Sequence, residues 1–252
     1  MQIDITLTAC IILIVLVACI ALISCIVLSV KKIREEYQQE IQNYESSAYY
    51  QITGCPYRSL KNDLGKRGEY MIYKCLQSYE SQGAKFLFNC YLPRANGKTT
   101  EIDVLMVYKS GIYVFESKNY GGWIYGDQYE DTWLQKMPES RDFIENLFYN
   151  PIMQNDLHIK WLERLLQDKT MPIYSVIVFS DRCVLKKVKV YSSDIKVINR
   201  NHLLATVSEI DSENAPVLEP NQIQKIYEKL YPCCLSSMDV KQAHIGNIQS
   251  KV

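Results

Sequence analysis

From Ile5 to Val30 the sequence contains no charged residue, and no other segment so narrows what the chain can fold into. As a helix rising about 1.5 Å per residue, this run exceeds the roughly 30 Å hydrocarbon thickness of a bilayer and spans it with tilt. Lys31, Lys32 and Arg34 follow at once, whereas Asp4 is the one charged side chain before it. Positive charge is retained on the cytoplasmic side. The pattern predicts a single-pass cell-membrane protein, its amino terminus outside and its soluble part in the cytoplasm. A cleaved secretory signal would carry a basic amino-terminal region and a shorter apolar core. Leu16-Val17-Ala18-Cys19 and Leu22-Ile23-Ser24-Cys25 resemble lipoprotein cleavage boxes, but the missing basic region argues against cleavage at either.

Lys plus Arg and Asp plus Glu number 28 each, so no global basic field points to a nucleic-acid partner, and any such binding must rest on local patches. Nine cysteines without a C-x-x-C pair, beside three histidines, argue against a zinc site and read as reduced cytosolic thiols. The chain divides by composition into residues 1–4 outside the membrane, a transmembrane helix over 5–30 and a polar stalk over 31–61, broken at Thr53-Gly54-Cys55-Pro56. A compact domain follows over 62–182, then strands and a helix over 183–231 packed on it, and a flexible tail over 232–252. Helices are predicted over 65–79, 150–168 and 221–230, and strands over 85–91, 104–108, 112–115, 173–179, 184–190 and 195–198. Residues 121–127 read as a turn, a short strand and a second turn, with Trp133 closing that region. The stalk carries only a short, weak apolar stripe, which leaves the oligomeric state open.

Two acidic clusters, Glu101-Ile102-Asp103 and Glu116-Ser117-Lys118, interrupt runs that are otherwise apolar. The β-prone residues between them flank Lys109-Ser110-Gly111, which is turn chemistry, so a hairpin would bring Asp103 opposite Glu116. Strand alternation points Glu116 and Lys118 the same way. Carboxylates on neighbouring strands make an oxygen-lined Mg²⁺ site, and a nearby lysine can steer an attacking water. The same residues also suit a polar strand end with surface ion pairs of little consequence. Glu69, Ile72 and Leu76 share a helix face, where a carboxylate needs a partner or a metal. An exposed first-turn glutamate favoured by the helix dipole fits that spacing too. Gln154 projects with Leu157, Trp161 and Leu165 from its helix, a pattern shared by site glutamines and by satisfied core amides. His158 on the same helix reads as a packed core histidine.

Gly65-Lys66-Arg67-Gly68-Glu69, Thr99-Thr100-Glu101-Ile102-Asp103, the run from Gly111 to Gly122, and Asn150-Pro151 with Gln154 together resemble the nuclease-related domain family. The resemblance implies a PD-(D/E)XK nuclease fold: α/β, a mixed central sheet flanked by helices in a restriction-endonuclease-like αβββαβ core, here behind one transmembrane helix. It implies Asp103 and Glu116 as metal-binding acids, Lys118 as the lysine of the E-x-K element, Glu69 as the first-helix acid and Gln154 as the glutamine of the second core helix. Ser117 stands where that element usually has an apolar residue, and its backbone carbonyl would be a third metal ligand.

The expected activity is Mg²⁺- or Mn²⁺-dependent hydrolysis of DNA, with RNA the less favoured substrate. Lys61, Lys66, Arg67, Lys74 and Lys98 would contact backbone phosphates, giving salt-dependent and sequence-independent affinity. The rival expectation is a membrane-tethered binding or scaffold protein that keeps the fold without turnover.

Overall fold

The computed structural model of the chain describes residues 5–95, 97–139 and 142–235, in two units, residues 1–47 and 48–252. In the first, helix α1 (Ile5–Glu45) runs unbroken from the apolar stretch into the basic and polar residues that follow. It is long and apolar enough to cross a membrane, and none of its apolar window is buried. Lys31–Glu35 and Lys32–Glu36, at 3.8 and 3.9 Å, are i,i+4 pairs that support its polar half.

The second unit opens with short helices α2 (Ala48–Thr53) and α3 (Tyr57–Asn62), parted at the expected Gly-Cys-Pro break, and α4 (Leu64–Leu76). Asp63 caps α4 by accepting the N–H groups of Gly65 and Lys66 at 2.9 and 3.1 Å. Strands β1 (Lys85–Pro93), β2 (Thr99–Tyr108) and β3 (Gly111–Lys118) follow, then β4 (Gly122–Asp127), β5 (Thr132–Glu139), β6 (Asp142–Tyr149) and helix α5 (Pro151–Leu166). The chain continues through β7 (Ile173–Phe179), β8 (Cys183–Lys189), β9 (Ile195–Asn199), α6 (Leu203–Glu213) and α7 (Pro220–Cys234).

The central sheet has the order β1-β2-β3-β7-β9, antiparallel across the first three strands and parallel across the last three. It is the mixed, helix-flanked sheet that the family resemblance implies. Ile112, Val114, Leu105 and Val107 on one face pack with Leu162 of α5 and with Ile223 and Leu230 of α7. On the other, Phe86 and Phe88 meet Tyr73 of α4 edge-on at 5.3 and 5.4 Å, and Phe88 meets Tyr49 of α2 at 4.9 Å. At the β2–β3 turn Gly111 has φ 142°, and a Cβ there would collide with the Pro172 carbonyl, so only glycine fits.

Three features depart from the expectations. A second sheet, β6-β5-β4-β8, stands beside the first; its β5–β6 hairpin occupies residues given no element beyond Trp133. Residues 183–189 join that sheet, parallel to β4, because β4 and β8 continue from the neighbouring ends of β3 and β7. Helix α7 runs through Pro232 to Cys234, where the Cys234 thiol lies 2.9 Å from that of Cys90. The tail expected from Pro232 thus begins inside a helix, and residues 236–252 lie outside the described ones.

Candidate functional site

The β2–β3 ladder runs from Tyr108–Gly111 to Val104–Phe115 and stops one pair short of Asp103 and Glu116. In place of a further backbone bond, Asp103 Oδ2 accepts the Ser117 N–H at 2.9 Å. Glu116 is 1% exposed. Its Oε1 accepts from Lys118 Nζ at 2.5 Å, and Lys118 Nζ also donates to Gln154 Oε1 at 3.0 Å. Its Oε2 lies 3.2 Å from His158 Nε2, whose ring is held from behind by Thr100 Oγ1 at 2.7 Å from Nδ1. Asp103, Glu116, Lys118 and Gln154 therefore meet at the ends of adjoining strands, and α5 supplies Gln154 and His158 one helical turn apart.

Helix α5 is aimed by its cap. Asn150, fully buried, accepts the Ile152 N–H at 2.9 Å and donates to the Gln128 and Glu130 carbonyls at 2.9 and 2.7 Å. Pro151 at the first helical position needs no donor there. One turn later Asn155 Nδ2 bonds the Val114 carbonyl at 3.0 Å and Ser175 Oγ at 2.9 Å, fixing the helix to the sheet.

Glu69 is not the exposed first-turn acid that its spacing allowed. It is 8% exposed, and its Oε2 accepts from Tyr49 Oη at 2.9 Å and Asn89 Nδ2 at 3.0 Å. Burial pushes its carboxyl up to about 7, opposed in part by those two bonds. The preceding Gly68 brings α4 onto the end of β3; a Cβ there would stand 2.5 Å from Ser117 Oγ. Ser117 thus faces α4, away from the side chains of Glu116 and Lys118, while its backbone N–H serves Asp103.

Asn89 lies at a missing rung of the β1–β2 ladder, whose register runs unchanged from Phe88–Val104 to Cys90–Ile102. It has φ 50° within β1, and neither it nor the facing Asp103 forms a ladder pair. Before it, Phe86 and Phe88 face α2 and α4 while Leu87 faces the opposite cluster; beyond it, Cys90 and Leu92 join Leu87. On β2 the alternation slips in step, since Ile102 shares a side with Leu105 and Val107. Asp103 stands at this break, within electrostatic reach of both Glu116 and Glu69.

The charges respond to one another. Burial, then Glu116 and Glu69, push the Asp103 carboxyl well up. Burial also opposes the charged form of Glu116, yet Lys118 and His158 hold its carboxyl below the usual range. Lys118 is raised despite its burial, by Glu116 and Asp103, and so stays cationic.

Among the described residues no three His, Cys, Asp or Glu side chains converge as a complete metal cage. A Mg²⁺ site needs none, because that ion keeps several waters and takes one or two carboxylates. Asp103, its proton affinity raised by burial and then by two neighbouring carboxylates, is the donor that such a cation would relieve, so the oxygen set of Asp103, Glu116 and the Ser117 carbonyl suits a hydrated divalent ion.

Of the cationic positions, Lys66, Arg67 and Lys74 are exposed along α4 and Lys98 is exposed in the β1–β2 loop, none of them within the acid cluster. Lys66 pairs with Asp63 at 3.5 Å. The sequence alone did not place His158, Asn89 or Tyr49 beside these acids. His158 stands four residues after Gln154, so its helical spacing was the available signal.

Acids and a lysine thus gather at the strand ends of a mixed sheet, inside the segment that comparison with known proteins matches. The nuclease-related domain matches residues 64–180. The chain is also 30% identical over 187 residues to an uncharacterized protein of Bacillus anthracis, an alignment covering 74% of this chain and 84% of that one. No solved structure matches. The chain belongs to the nuclease-related domain family.

Proposed function

We propose that this protein is a membrane-anchored nuclease that hydrolyses phosphodiester bonds of DNA in a Mg²⁺- or Mn²⁺-dependent reaction, its soluble part on the cytoplasmic side. The observation that carries this reading is Lys118 Nζ, shared between buried Glu116 and Gln154 beside Asp103. Asp103, Glu116 and the Ser117 carbonyl would hold the cation. When bound, it supplies Lewis-acid polarisation of the scissile phosphate and lowers the pKa of a bound water.

The remaining work falls to the chain. Lys118 is cationic and so is no general base; it donates a hydrogen bond to the attacking water or a phosphate oxygen and offsets developing charge. Gln154 fixes the ammonium, and His158 fixes Glu116 from the opposite side. Exposed Lys66, Arg67, Lys74 and Lys98 would add phosphate contacts without reading bases. The α1 helix would confine cleavage to nucleic acid near a membrane.

The full chain in detergent micelles should cleave DNA with Mg²⁺ or Mn²⁺, RNA more slowly, and lose cleavage in Asp103→Asn and Lys118→Ala. Intact substrate across single- and double-stranded DNA and RNA, or cleavage by both variants at the wild-type rate, defeats the proposal. One observation favours a scaffold without turnover: both Glu116 oxygens already have donors, so the acid is compensated without a cation. Mn²⁺ calorimetry separates the readings, since a scaffold need not bind the ion or lose binding in Asp103→Asn.

A further inference from the structure

We propose that Tyr49 and Asn89 are positioning residues that hold Glu69 for cation binding, so that the functional unit extends into α2, outside the residues matched by the family domain. The proposal rests on the metal-dependent reading of the site and names residues that reading does not contain.

Three observations converge. First, both donors reach the same oxygen of Glu69, Oε2, at 2.9 Å from Tyr49 Oη and 3.0 Å from Asn89 Nδ2. Two fixed bonds to one oxygen lock the carboxyl plane and leave the other oxygen for a water or an ion. Second, Asn89 holds a left-handed conformation, φ 50°, within a strand. Such a conformation is unfavourable for a non-glycine residue and persists where the surroundings enforce it. Here it coincides with the break in the ladder opposite Asp103, and it aims the Asn89 amide at Glu69. Third, Tyr49 is fully buried, its ring edge-on to Phe88 at 4.9 Å and to Tyr70 at 5.6 Å. Ring packing alone would be served by phenylalanine; the hydroxyl is what reaches the acid. Tyr49 precedes the family-matched segment 64–180, so this contact belongs to the juxtamembrane sequence.

Orienting partners of a metal-binding carboxylate typically set affinity by about 10–100-fold. The test is Mn²⁺ titration by calorimetry of the full chain in micelles, wild type against Asn89→Gly, Tyr49→Phe, Glu69→Gln and the doubles Asn89→Gly/Glu69→Gln and Tyr49→Phe/Glu69→Gln. Asn89→Gly deletes the donor while relieving the backbone, and a cooperative thermal transition in EDTA checks that the variant is folded. Asn89→Gly and Tyr49→Phe should each weaken Mn²⁺ binding by about tenfold. Neither should weaken it further once Glu69 is Gln, because both act through that carboxylate. Unchanged Mn²⁺ affinity in either single variant, or additive losses in the doubles, overturns the proposal. Absence of Mn²⁺ binding by the wild-type chain defeats the metal-dependent reading itself, and the proposal with it.

Discussion

His158 Nε2 lies 3.2 Å from Glu116 Oε2, opposite the Lys118 ammonium on Oε1, so one buried carboxylate is clamped from both sides. A histidine at this point of α5 fixes the acid and is itself fixed by Thr100. Replacing His158 by alanine leaves an oxygen of a buried acid and a threonine hydroxyl without partners, at a cost of about 1–3 kcal/mol. Cleavage should fall by about 10–100-fold. His158→Gln keeps a donor within reach of Oε2 and should recover part of that loss. A His158→Ala protein that is folded by circular dichroism and cleaves at the wild-type rate excludes the clamp.

The approach of α4 to β3 at Gly68 makes a second prediction. An alanine methyl there would stand 2.5 Å from Ser117 Oγ and 3.1 Å from Asn119 Cβ. Accommodation requires the hydroxyl to turn or the helix to move, and the helix carries Glu69. Overpacking of this kind costs about 1–3 kcal/mol. Ser117→Ala removes the nearest atom, so Gly68→Ala should be less damaging on that background, with a coupling of about 1 kcal/mol in a double-mutant cycle. Additive urea-denaturation effects would show that Ser117 Oγ is not what limits the approach.

Much of the site was legible because its parts are local. Lys109-Ser110-Gly111 set a two-strand register that carries Asp103 to Glu116, and alternation along one strand joins Glu116 to Lys118. Helical spacing put Gln154 on the core side of its helix, where a satisfied core amide was the commoner reading; its site role was implied by the family resemblance alone. What could not be read depends on contacts distant in the chain. The break in the ladder at Asn89 and Asp103 is a property of two strands together, and an Asn-Cys pair in an apolar run does not announce it. His158 looked like core because it is core; its partner 42 residues earlier is what gives it a role. Glu69 fitted an exposed first-turn acid equally well until α2 and β1 were seen to enclose it. The β5–β6 hairpin was missed because its second strand, Asp142–Tyr149, is exposed over most of its length and lacks a buried alternating face.

The enclosure of Glu69 has a consequence for stability. Its carboxyl rises from 4.5 to about 7 on folding, with burial as the main cause. A raised acid favours the folded state while protonated. Its contribution is full below pH 4.5 and is lost as pH climbs to about 7, because the unfolded chain releases the proton first. The loss over that window is on the order of 3 kcal/mol for a group this buried. In EDTA, Glu69→Gln removes it, so the variant should gain on the wild type steadily from pH 4.5 to pH 7.5. Urea denaturation of both proteins across that range checks the sign; parallel stability curves would mean that Glu69 does not titrate differently in the folded state.

Asn150 supplies a test in which two ordinary preferences conflict. Aspartate is as good a helix cap as asparagine, and on that ground Asn150→Asp should be harmless. Here, however, the side-chain nitrogen donates to the carbonyls of Gln128, Glu130 and, at 3.3 Å, Asp127, in a fully buried setting. A carboxylate would keep the bond to the Ile152 N–H and aim its second oxygen at three acceptors. Asn150→Ala forfeits the cap and leaves those carbonyls short of a donor, for about 2–4 kcal/mol. Asn150→Asp should cost at least as much at pH 7 and less at pH 4, where a protonated oxygen can donate again. Both variants should also reduce cleavage, because α5 carries Gln154 and His158 from that cap. If Asn150→Asp matches the wild type at pH 7 in thermal unfolding, the residue is a helix cap alone and the turn that it grips is held by other contacts.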